Sequence, residues 1–134
     1  MYLIDTNVLS ELIKRTPNPH FMARLRSTPA DALFSASICI MELRYGVLKR
    51  GISADLWTKI ERQILARIGI LPFSYKEAMK AGELIHHLYS IGRPIGIEDI
   101  MIASIALCNA LTVVSANIKH FSRVPGLKTE NWFQ

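Results

Sequence analysis

Two spacings of apolar residues alternate along the chain. Short apolar runs rich in β-branched residues, such as 111–114, are typical of buried strands. Longer stretches repeat apolar residues every three or four positions, which is the spacing of a helix with one buried face. Strands are predicted at 1–4, 33–35, 70–72 and 111–114, and helices at 8–14, 20–27, 37–50, 54–67, 76–91 and 98–109.

Residues that stop regular structure fall between these elements. Pro17-Asn18-Pro19 is predicted to separate the first two helices, Gly51 and Gly69 to end the third and the fourth, and Gly92-Arg93-Pro94 to precede the last. No repeat or linker interrupts the pattern. The alternation of strands and helices predicts an α/β fold: one domain over residues 1–134, with three α/β/α layers and a mostly parallel central sheet.

The composition fits a globular chain with a basic surface. Of the 134 residues, 50% are hydrophobic and 20% are charged, which suffices for one real core. Sixteen Lys and Arg against eleven Asp and Glu give a formal net charge of +5, which favours a polyanionic partner such as a nucleic acid. Cys39 and Cys108 lie in apolar runs, so we interpret both as small buried residues of a reduced protein, without a disulfide framework.

Neither a membrane span nor a secretory signal is visible in the pattern. No apolar stretch approaches the roughly 20 residues that cross a bilayer, and no basic segment followed by a long apolar run opens the chain. We therefore expect no membrane partner, and the cytoplasm as the location.

Three acids stand in apolar surroundings, where an ionised carboxylate is costly unless something pairs with it. Asp5 closes the first strand, Glu42 interrupts an apolar helix, and Asp99 opens the helix before the last predicted strand. Strand ends and helix starts of a parallel sheet gather in one crevice. Oxygen ligands of this kind suit Mg²⁺ or Mn²⁺, so the pattern favours a shared cation and phosphodiester hydrolysis.

Each acid also has an ordinary structural explanation. Asp5 could end its strand in a capped turn, Glu42 could pair with Arg44, and Glu98 and Asp99 could stabilise a helix N-terminus. We interpret the four histidines as surface or core residues, because they show no metal-ligand spacing. They are His20, His86, His87 and His120.

Four segments, in order along the chain, carry a family resemblance. They are the opening 3–12, the stretch 41–47 around Glu42, the stretch 95–103 around Asp99, and the tail from 113 onward with Ser115-Ala116-Asn117. Together they resemble PIN-domain proteins of the VapC toxin type over nearly the whole chain.

The resemblance implies a Mg²⁺- or Mn²⁺-dependent endoribonuclease, the toxin of a type II toxin–antitoxin system. Structured RNA such as transfer RNA is its implied substrate. A cognate antitoxin is implied as the inhibitory partner, and a homodimer as the assembly. Exposed apolar surface on the early helices is expected to serve both protein contacts.

The resemblance also assigns roles to residues. Asp5 and Asp99 are implied as the metal ligands, Glu42 as the third acid, Thr6 as the residue that orients Asp5 or a water held by the ion, and Ser115 as a supporting residue behind them. Many PIN domains carry a fourth acid in the last segment. Here Asn117 stands in that segment and supplies a carbonyl oxygen but no charge. We therefore expect one firmly held ion, with a second arriving at most with substrate.

Several readings of the site remain open at this point. If water attacks the phosphate, the products carry 5′-phosphate and 3′-hydroxyl ends. A DNA-directed PIN nuclease would share the same acids, and a PIN-like RNA-binding module without catalysis is a further alternative. A phosphatase with Asp5 as nucleophile is disfavoured, because the second aspartate that such enzymes need would stand at Asn7. Basic residues are candidate RNA contacts: Lys14, Arg15, Arg44, Lys49, Arg50, Lys119 and Arg123.

Overall fold

A five-stranded parallel sheet forms the centre of the protein, for which we have a computed structural model describing residues 1–134. Its strand order is β3-β2-β1-β4-β5, so β1 lies in the middle. The strands are β1 (Tyr2–Ile4), β2 (Leu33–Ala36), β3 (Gly69–Leu71), β4 (Thr112–Val114) and β5 (Thr129–Glu130). The chain leaves β1 toward β2 on one side and reaches β4 on the other. The carboxyl ends of β1 and β4 therefore border the crevice where open parallel sheets bind ligands.

Seven helices cover the sheet, which confirms the predicted fold class of three α/β/α layers. They are α1 (Thr6–Leu9), α2 (Pro19–Ser27), α3 (Ser37–Arg50), α4 (Ala54–Gln63), α5 (Tyr75–Ser90), α6 (Ile97–Cys108) and α7 (Ile118–Phe121). Short 3₁₀ turns occupy Ser10–Ile13, Ala30–Ala32 and Leu65–Arg67. None of the helices combines the length and the apolar character needed to cross a bilayer.

Several predicted boundaries match the structure, and others shift for local reasons. Gly51 ends α3 in the left-handed conformation, with φ +66°, as predicted from its position. Pro17-Asn18-Pro19 does more than break the chain, because the side chain of Asn18 accepts a hydrogen bond from the Phe21 N–H at 3.0 Å and so caps α2. Pro19 is then the first helical residue, where its missing N–H costs nothing.

The helices predicted at 8–14 and 54–67 are shorter in the structure. The first starts at Thr6, because Asp5 caps it, and tightens into a 3₁₀ turn from Ser10. The second ends at Gln63, after which Ile64 leaves helical geometry and a 3₁₀ turn brings Leu65 into the core. A polar cap therefore sets the first boundary, and the burial of Leu65 accompanies the second.

The last strand and the last helix were not predicted, because two- to four-residue elements show no period. β5 exists through its pairing with β4, in which the Ser115 N–H donates to the Glu130 carbonyl at 3.0 Å. The segment behind it is held by Trp132, which is buried, meets the Tyr2 ring edge-on at 5.1 Å, and lies under the Arg24 guanidinium at 4.8 Å. α7 follows β4 directly in the chain, and its Phe121 is buried in the core.

Both cysteine thiols are free, in agreement with the absence of a disulfide framework. Cys39 is fully buried, but Cys108 is only half-buried, so the prediction that both are buried is wrong for Cys108. Its thiol lies 3.7 Å from the Lys76 carbonyl at the surface between α5 and α6, where the apolar run of α6 ends.

Candidate active site

Asp5 lies at the carboxyl end of β1, in the middle of the sheet, and only 4% of it is exposed. Its backbone N–H donates to the Val114 carbonyl at 3.1 Å, which fixes it to the end of β4. Its Oδ1 accepts the Val8 N–H at 3.1 Å and caps α1. Asp5 is therefore the N-terminal cap of α1 and a buried carboxylate at the crevice as well.

The charge of Asp5 is unfavourable in this position. Burial raises the pKa of its carboxyl to about 6, although hydrogen bonds from the Ser115 hydroxyl and the Val8 amide favour the charged form, and the nearby carboxylates of Asp99 and Glu42 raise the pKa further. No Lys or Arg forms an ion pair with Asp5. The structure thus brings the three predicted acids within electrostatic reach of one another without a cation from the chain.

Glu42 reaches this crevice from α3, which packs against α1. The Thr6 hydroxyl donates to Glu42 Oε1 at 2.7 Å. The hydroxyl of Thr6 therefore contacts Glu42 and not Asp5. The alternative, that Thr6 orients a water held by the ion, stays a prediction. The pairing of Glu42 with Arg44 does not form either, because the Arg44 guanidinium lies over the Trp57 ring at 5.0 Å.

Asp99 is the third residue of α6 and so lies in the first turn of that helix. Its Oδ2 is 3.2 Å from His120 Nδ1, and this is its one side-chain partner. Glu98 is exposed to solvent, in agreement with a role at the helix N-terminus. The two neighbouring acids therefore differ: Asp99 faces the crevice and Glu98 faces water.

Ser115 and Asn117 follow β4, as the strand prediction implied. Ser115 is completely buried, and its hydroxyl accepts the Asn117 N–H at 2.9 Å while favouring the charged form of Asp5. Asn117 does not join the acids through its side chain. Its Nδ2 lies 3.3 Å from His120 Nδ1 instead.

His120 is the site residue that sequence reasoning missed. We interpreted it as a surface or core residue, but it contacts both Asp99 and Asn117 from α7. One signal was available: Asn117 and His120 are three positions apart, which places them on one side of a single helical turn. This spacing has meaning only within a helix, and α7 was not predicted, so the sequence alone did not indicate that the two side chains meet.

The donor chemistry of the crevice fits a divalent cation. Asp5, Glu42 and Asp99 offer only oxygen atoms. Val8 and Thr6 donate to Asp5 and Glu42, and the His120 ring lies 3.2 Å from Asp99. No three His, Cys, Asp or Glu side chains are already gathered closely enough to enclose an ion. The three acids thus have the charge and the oxygen atoms that a divalent cation requires. Their side chains are not close enough for all three to bind the same ion in this arrangement.

The seven candidate RNA contacts differ in their surroundings. Arg44 lies over the Trp57 ring, and Lys49 Nζ lies 6.0 Å from the centre of the Tyr45 ring. Lys14 pairs with Glu11, and Arg123 Nη1 donates to the Pro94 carbonyl at 2.9 Å, so both have structural partners. Four others have exposed side chains without an ion-pair partner. They are Arg15, Lys49, Arg50 and Lys119.

One groove of the protein lies away from the acids. It measures about 680 Å³ and runs between α2 and the segment after α4. A second groove of about 330 Å³ continues from it toward the Ser10–Ile13 turn, sharing Met22, Arg26, Gln63 and Ile64 with the first. We call the two together the α2–α4 groove.

The chain is similar to known proteins over a range that includes all residues of the site. The sequence profile of the PIN domain matches residues 2–127. Ribonuclease VapC2 of Rickettsia felis is 34% identical over 132 residues, covering 98% of each chain. The tRNA(fMet)-specific endonuclease VapC of Salmonella typhimurium is 30% identical over 131 residues, covering 98% of this chain and 97% of the relative.

A solved structure shows the same fold. In VapBC2 from Rickettsia felis, bound to a DNA fragment from its promoter, the matching chain superimposes with a TM-score of 0.86 at 34% identity, and 98% of each chain is covered. The similarity extends over every element that positions the acids.

Proposed function

The chain is a member of the PIN-domain family, and from that premise we propose that it is a metal-dependent endoribonuclease, the toxin of a type II toxin–antitoxin pair. One observation carries this proposal: Asp5 is buried beside two further carboxylates, Glu42 and Asp99, and lacks a Lys or Arg partner. A cluster of carboxylates with a buried, unpaired member destabilises the fold, and this favours a site that is completed by a bound cation.

We propose that Asp5 and Asp99 hold one Mg²⁺ or Mn²⁺ ion. When bound, the ion supplies the positive charge that draws in a phosphodiester and offsets the charge that builds on it. Glu42 has Oε1 engaged by Thr6, so Oε2 is the atom that accepts a proton from the attacking water. Water attack leaves 5′-phosphate and 3′-hydroxyl ends; a 2′,3′-cyclic phosphate would contradict this scheme.

RNA is the proposed substrate, and structured RNA such as transfer RNA is the first candidate. The Salmonella relative is named for tRNA(fMet), and the net charge of +5 suits a polyanion. Lys119 is exposed on α7, next to His120, and so offers a cation beside the acids. The four exposed cations are expected to bind the RNA backbone.

We propose that the antitoxin binds in the α2–α4 groove. Its floor is apolar, with Met22, Leu25 and Ile64, and basic side chains stand along its rim. The rim residues are Lys14, Arg15, Arg26, Lys59 and Arg67. A partner segment with apolar and acidic residues complements such a surface, and the Rickettsia structure is a VapBC complex.

A charge reversal in the groove separates antitoxin binding from catalysis. Arg26→Glu together with Lys59→Glu is expected to weaken the complex with the co-expressed antitoxin by at least about tenfold, because two attractive contacts become repulsive. RNA cleavage by the free toxin should persist. Lys128→Glu, an exposed cation outside the groove, is the matched control. Equal complex formation by the variant and the control would contradict the assignment.

A homodimer is also proposed, as the resemblance implies. Met41, Tyr45 and Leu48 are all exposed on one face of α3, at a spacing that forms a continuous apolar stripe. Light scattering should give the mass of two chains, and Tyr45→Lys should reduce it to one. A monomer in the unsubstituted protein would contradict this part of the proposal.

The direct test of the enzyme is an RNA cleavage assay. The purified chain, freed of its antitoxin, is incubated with total transfer RNA and Mg²⁺ or Mn²⁺, beside Asp5→Asn and an EDTA control. Discrete fragments that vanish in both controls are expected. Cleavage that survives Asp5→Asn would overturn the assignment of the site, and cleavage of DNA in preference to RNA would favour a DNA-directed nuclease. Tight RNA binding without any cleavage would favour a binding module.

A further inference from the structure

The short helix α7 and the residues that follow it contact the start of α6 and the loop before α6 at two points. His120 Nδ1 lies 3.2 Å from Asp99 Oδ2, and Arg123 Nη1 donates to the Pro94 carbonyl in the loop before α6 at 2.9 Å. Phe121, between them, is 1% exposed and anchors the turn in the core. The position of the His120 ring relative to Asp99 is therefore determined by the fold.

His120 Nδ1 has two neighbours that require opposite hydrogen-bonding roles. Asp99 Oδ2 can only accept when ionised, whereas Asn117 Nδ2, at 3.3 Å, can only donate. In neutral imidazole a ring nitrogen either carries the proton and donates a hydrogen bond, or lacks the proton and accepts one. The bond to a carboxylate is charge-assisted and stronger, and the exposed Asn117 amide can turn over to present its oxygen to the same proton. The proton thus belongs on Nδ1.

We propose that His120 is a positioning residue for Asp99: its Nδ1–H donates to Oδ2 and holds the carboxylate so that Oδ1 remains available to a divalent cation. This inference rests on the proposed metal-dependent function. It fits the pattern of the site, in which Val8 holds one oxygen of Asp5 and Thr6 one oxygen of Glu42. Donors behind metal ligands are known to set the orientation of those ligands.

A purely stabilising ion pair would have different consequences. The side chains of His120 and Asp99 are 41% and 30% exposed, so solvent weakens the contact and its share of the folding free energy is small. Removal of the imidazole should therefore leave the melting temperature nearly unchanged. An effect on cation affinity can then be measured in a folded protein.

The first experiment needs no metal. ¹⁵N NMR of the full chain, at an alkaline pH where imidazole is neutral, should show His120 with its proton on Nδ1. In Asn117→Ala it should stay on Nδ1, because Asp99 alone then accepts it. In Asp99→Ala combined with Asn117→Ala no acceptor for an Nδ1 proton remains, so the proton should move to Nε2. A ring with its proton on Nε2 in the unsubstituted chain or in Asn117→Ala, or a proton that stays on Nδ1 in the double variant, would overturn the proposal.

The second experiment is a calorimetric titration with Mn²⁺ alone. His120→Ala is expected to weaken binding about 10- to 100-fold, the usual effect of losing such a donor. His120→Asn places an amide N–H where Nδ1 was and should restore most of the affinity, whereas His120→Gln places it near Nε2 and should not. Unchanged affinity in His120→Ala, or rescue by Gln rather than Asn, would overturn the proposal.

The two experiments separate the failure of this inference from that of the proposed function. If the unsubstituted chain binds no Mn²⁺, the metal-dependent function fails, and with it the purpose assigned to the contact. The NMR result still decides whether His120 orients Asp99. If Mn²⁺ binds and His120→Ala binds it equally well, only the positioning role is lost.

Discussion

Asp5 and Glu11 are both buried carboxylates near the start of the chain, at 4% and 7% exposure, and their surroundings are opposite. Glu11 accepts from Lys14 Nζ with one oxygen and from the Asn18 N–H at 2.9 Å with the other. Burial raises the pKa of Glu11, but these bonds and the Lys14 charge outweigh it, so the pKa lies below its usual value. Asp5 has no cation and two carboxylates nearby, and its pKa is about 6.

The comparison shows that burial of an acid does not by itself indicate a site. Glu11 closes the turn between the first 3₁₀ segment and α2, and every charge involved has its partner. Asp5 lacks the partner that would make its burial favourable. The difference between a structural and a functional carboxylate therefore lies in what surrounds it, and four predictions on three substitutions test that difference.

The largest expected effect is the loss of activity in Asp5→Asn. Asn can still cap α1 through its oxygen but removes the charge that we propose binds the ion, so RNA cleavage should fall on the order of 1,000-fold or more, equivalent to several kcal/mol of transition-state stabilisation. Binding of RNA should largely persist. Initial rates and filter binding measure the two, with Asp31→Asn, an exposed acid, as the control.

The same substitution should stabilise the metal-free protein. The pKa of Asp5 is raised in the fold from 3.8 to about 6, so the ionised form opposes folding by up to about 3 kcal/mol. The penalty is absent below about pH 4, grows between pH 4 and 6, and is complete above. Asp5→Asn should therefore unfold at higher urea concentration than the unsubstituted chain at pH 8 in EDTA, and equally at pH 3.5. A destabilised variant at pH 8 would contradict the account.

Glu11→Ala should have the opposite effect on stability. It leaves Lys14 and the Asn18 amide without their acceptor and should cost about 2 kcal/mol at neutral pH. Because the pKa of Glu11 is lowered in the fold, its contribution is present above the ordinary carboxyl range and is lost as the pH falls below it. Urea unfolding at pH 7 and pH 3 measures this. Cleavage per folded molecule should be unchanged, and a loss of activity would mean that Glu11 belongs to the site.

The smallest expected effect is that of Thr6→Val. The substitution keeps the shape of the side chain but removes the donor to Glu42 Oε1. The loss of one hydrogen bond to a charged group should lower kcat/KM about tenfold and change stability little. Thr6→Ser keeps the hydroxyl and should retain most of the activity. Equal rates for the Val and Ser variants would show that the bond does not orient Glu42 during the reaction.

Much of the fold could be predicted because the long elements carry a clear period. Helix α3 and its terminator Gly51 follow from apolar spacing and one glycine, and the central strands from short apolar runs, of which only β4 is rich in β-branched residues. α7 and β5 could not be predicted, because each spans about one period and β5 depends on its pairing with β4. Tertiary contacts, not local sequence, define them.

The acids of the site could be proposed from sequence, whereas their hydrogen-bond partners could not. An acid in an apolar run is visible without a structure, which is why Asp5, Glu42 and Asp99 were selected together. The donor to each acid comes from elsewhere: Thr6 lies next to Asp5 in sequence yet binds Glu42, and His120 reaches Asp99 only because α7 follows β4. Such pairings depend on how α1, α3, α6 and α7 meet.

The central claim is that the acid crevice lacks one positive charge, which a divalent ion supplies. The most direct measurement is the melting temperature of the antitoxin-free chain at pH 8, with EDTA and with increasing Mn²⁺, for the unsubstituted protein, Asp5→Asn and Glu11→Ala. We predict that Mn²⁺ raises the melting temperature of the unsubstituted protein and of Glu11→Ala, and leaves Asp5→Asn unchanged. An equal rise in all three, or no rise in the unsubstituted protein, would contradict the claim.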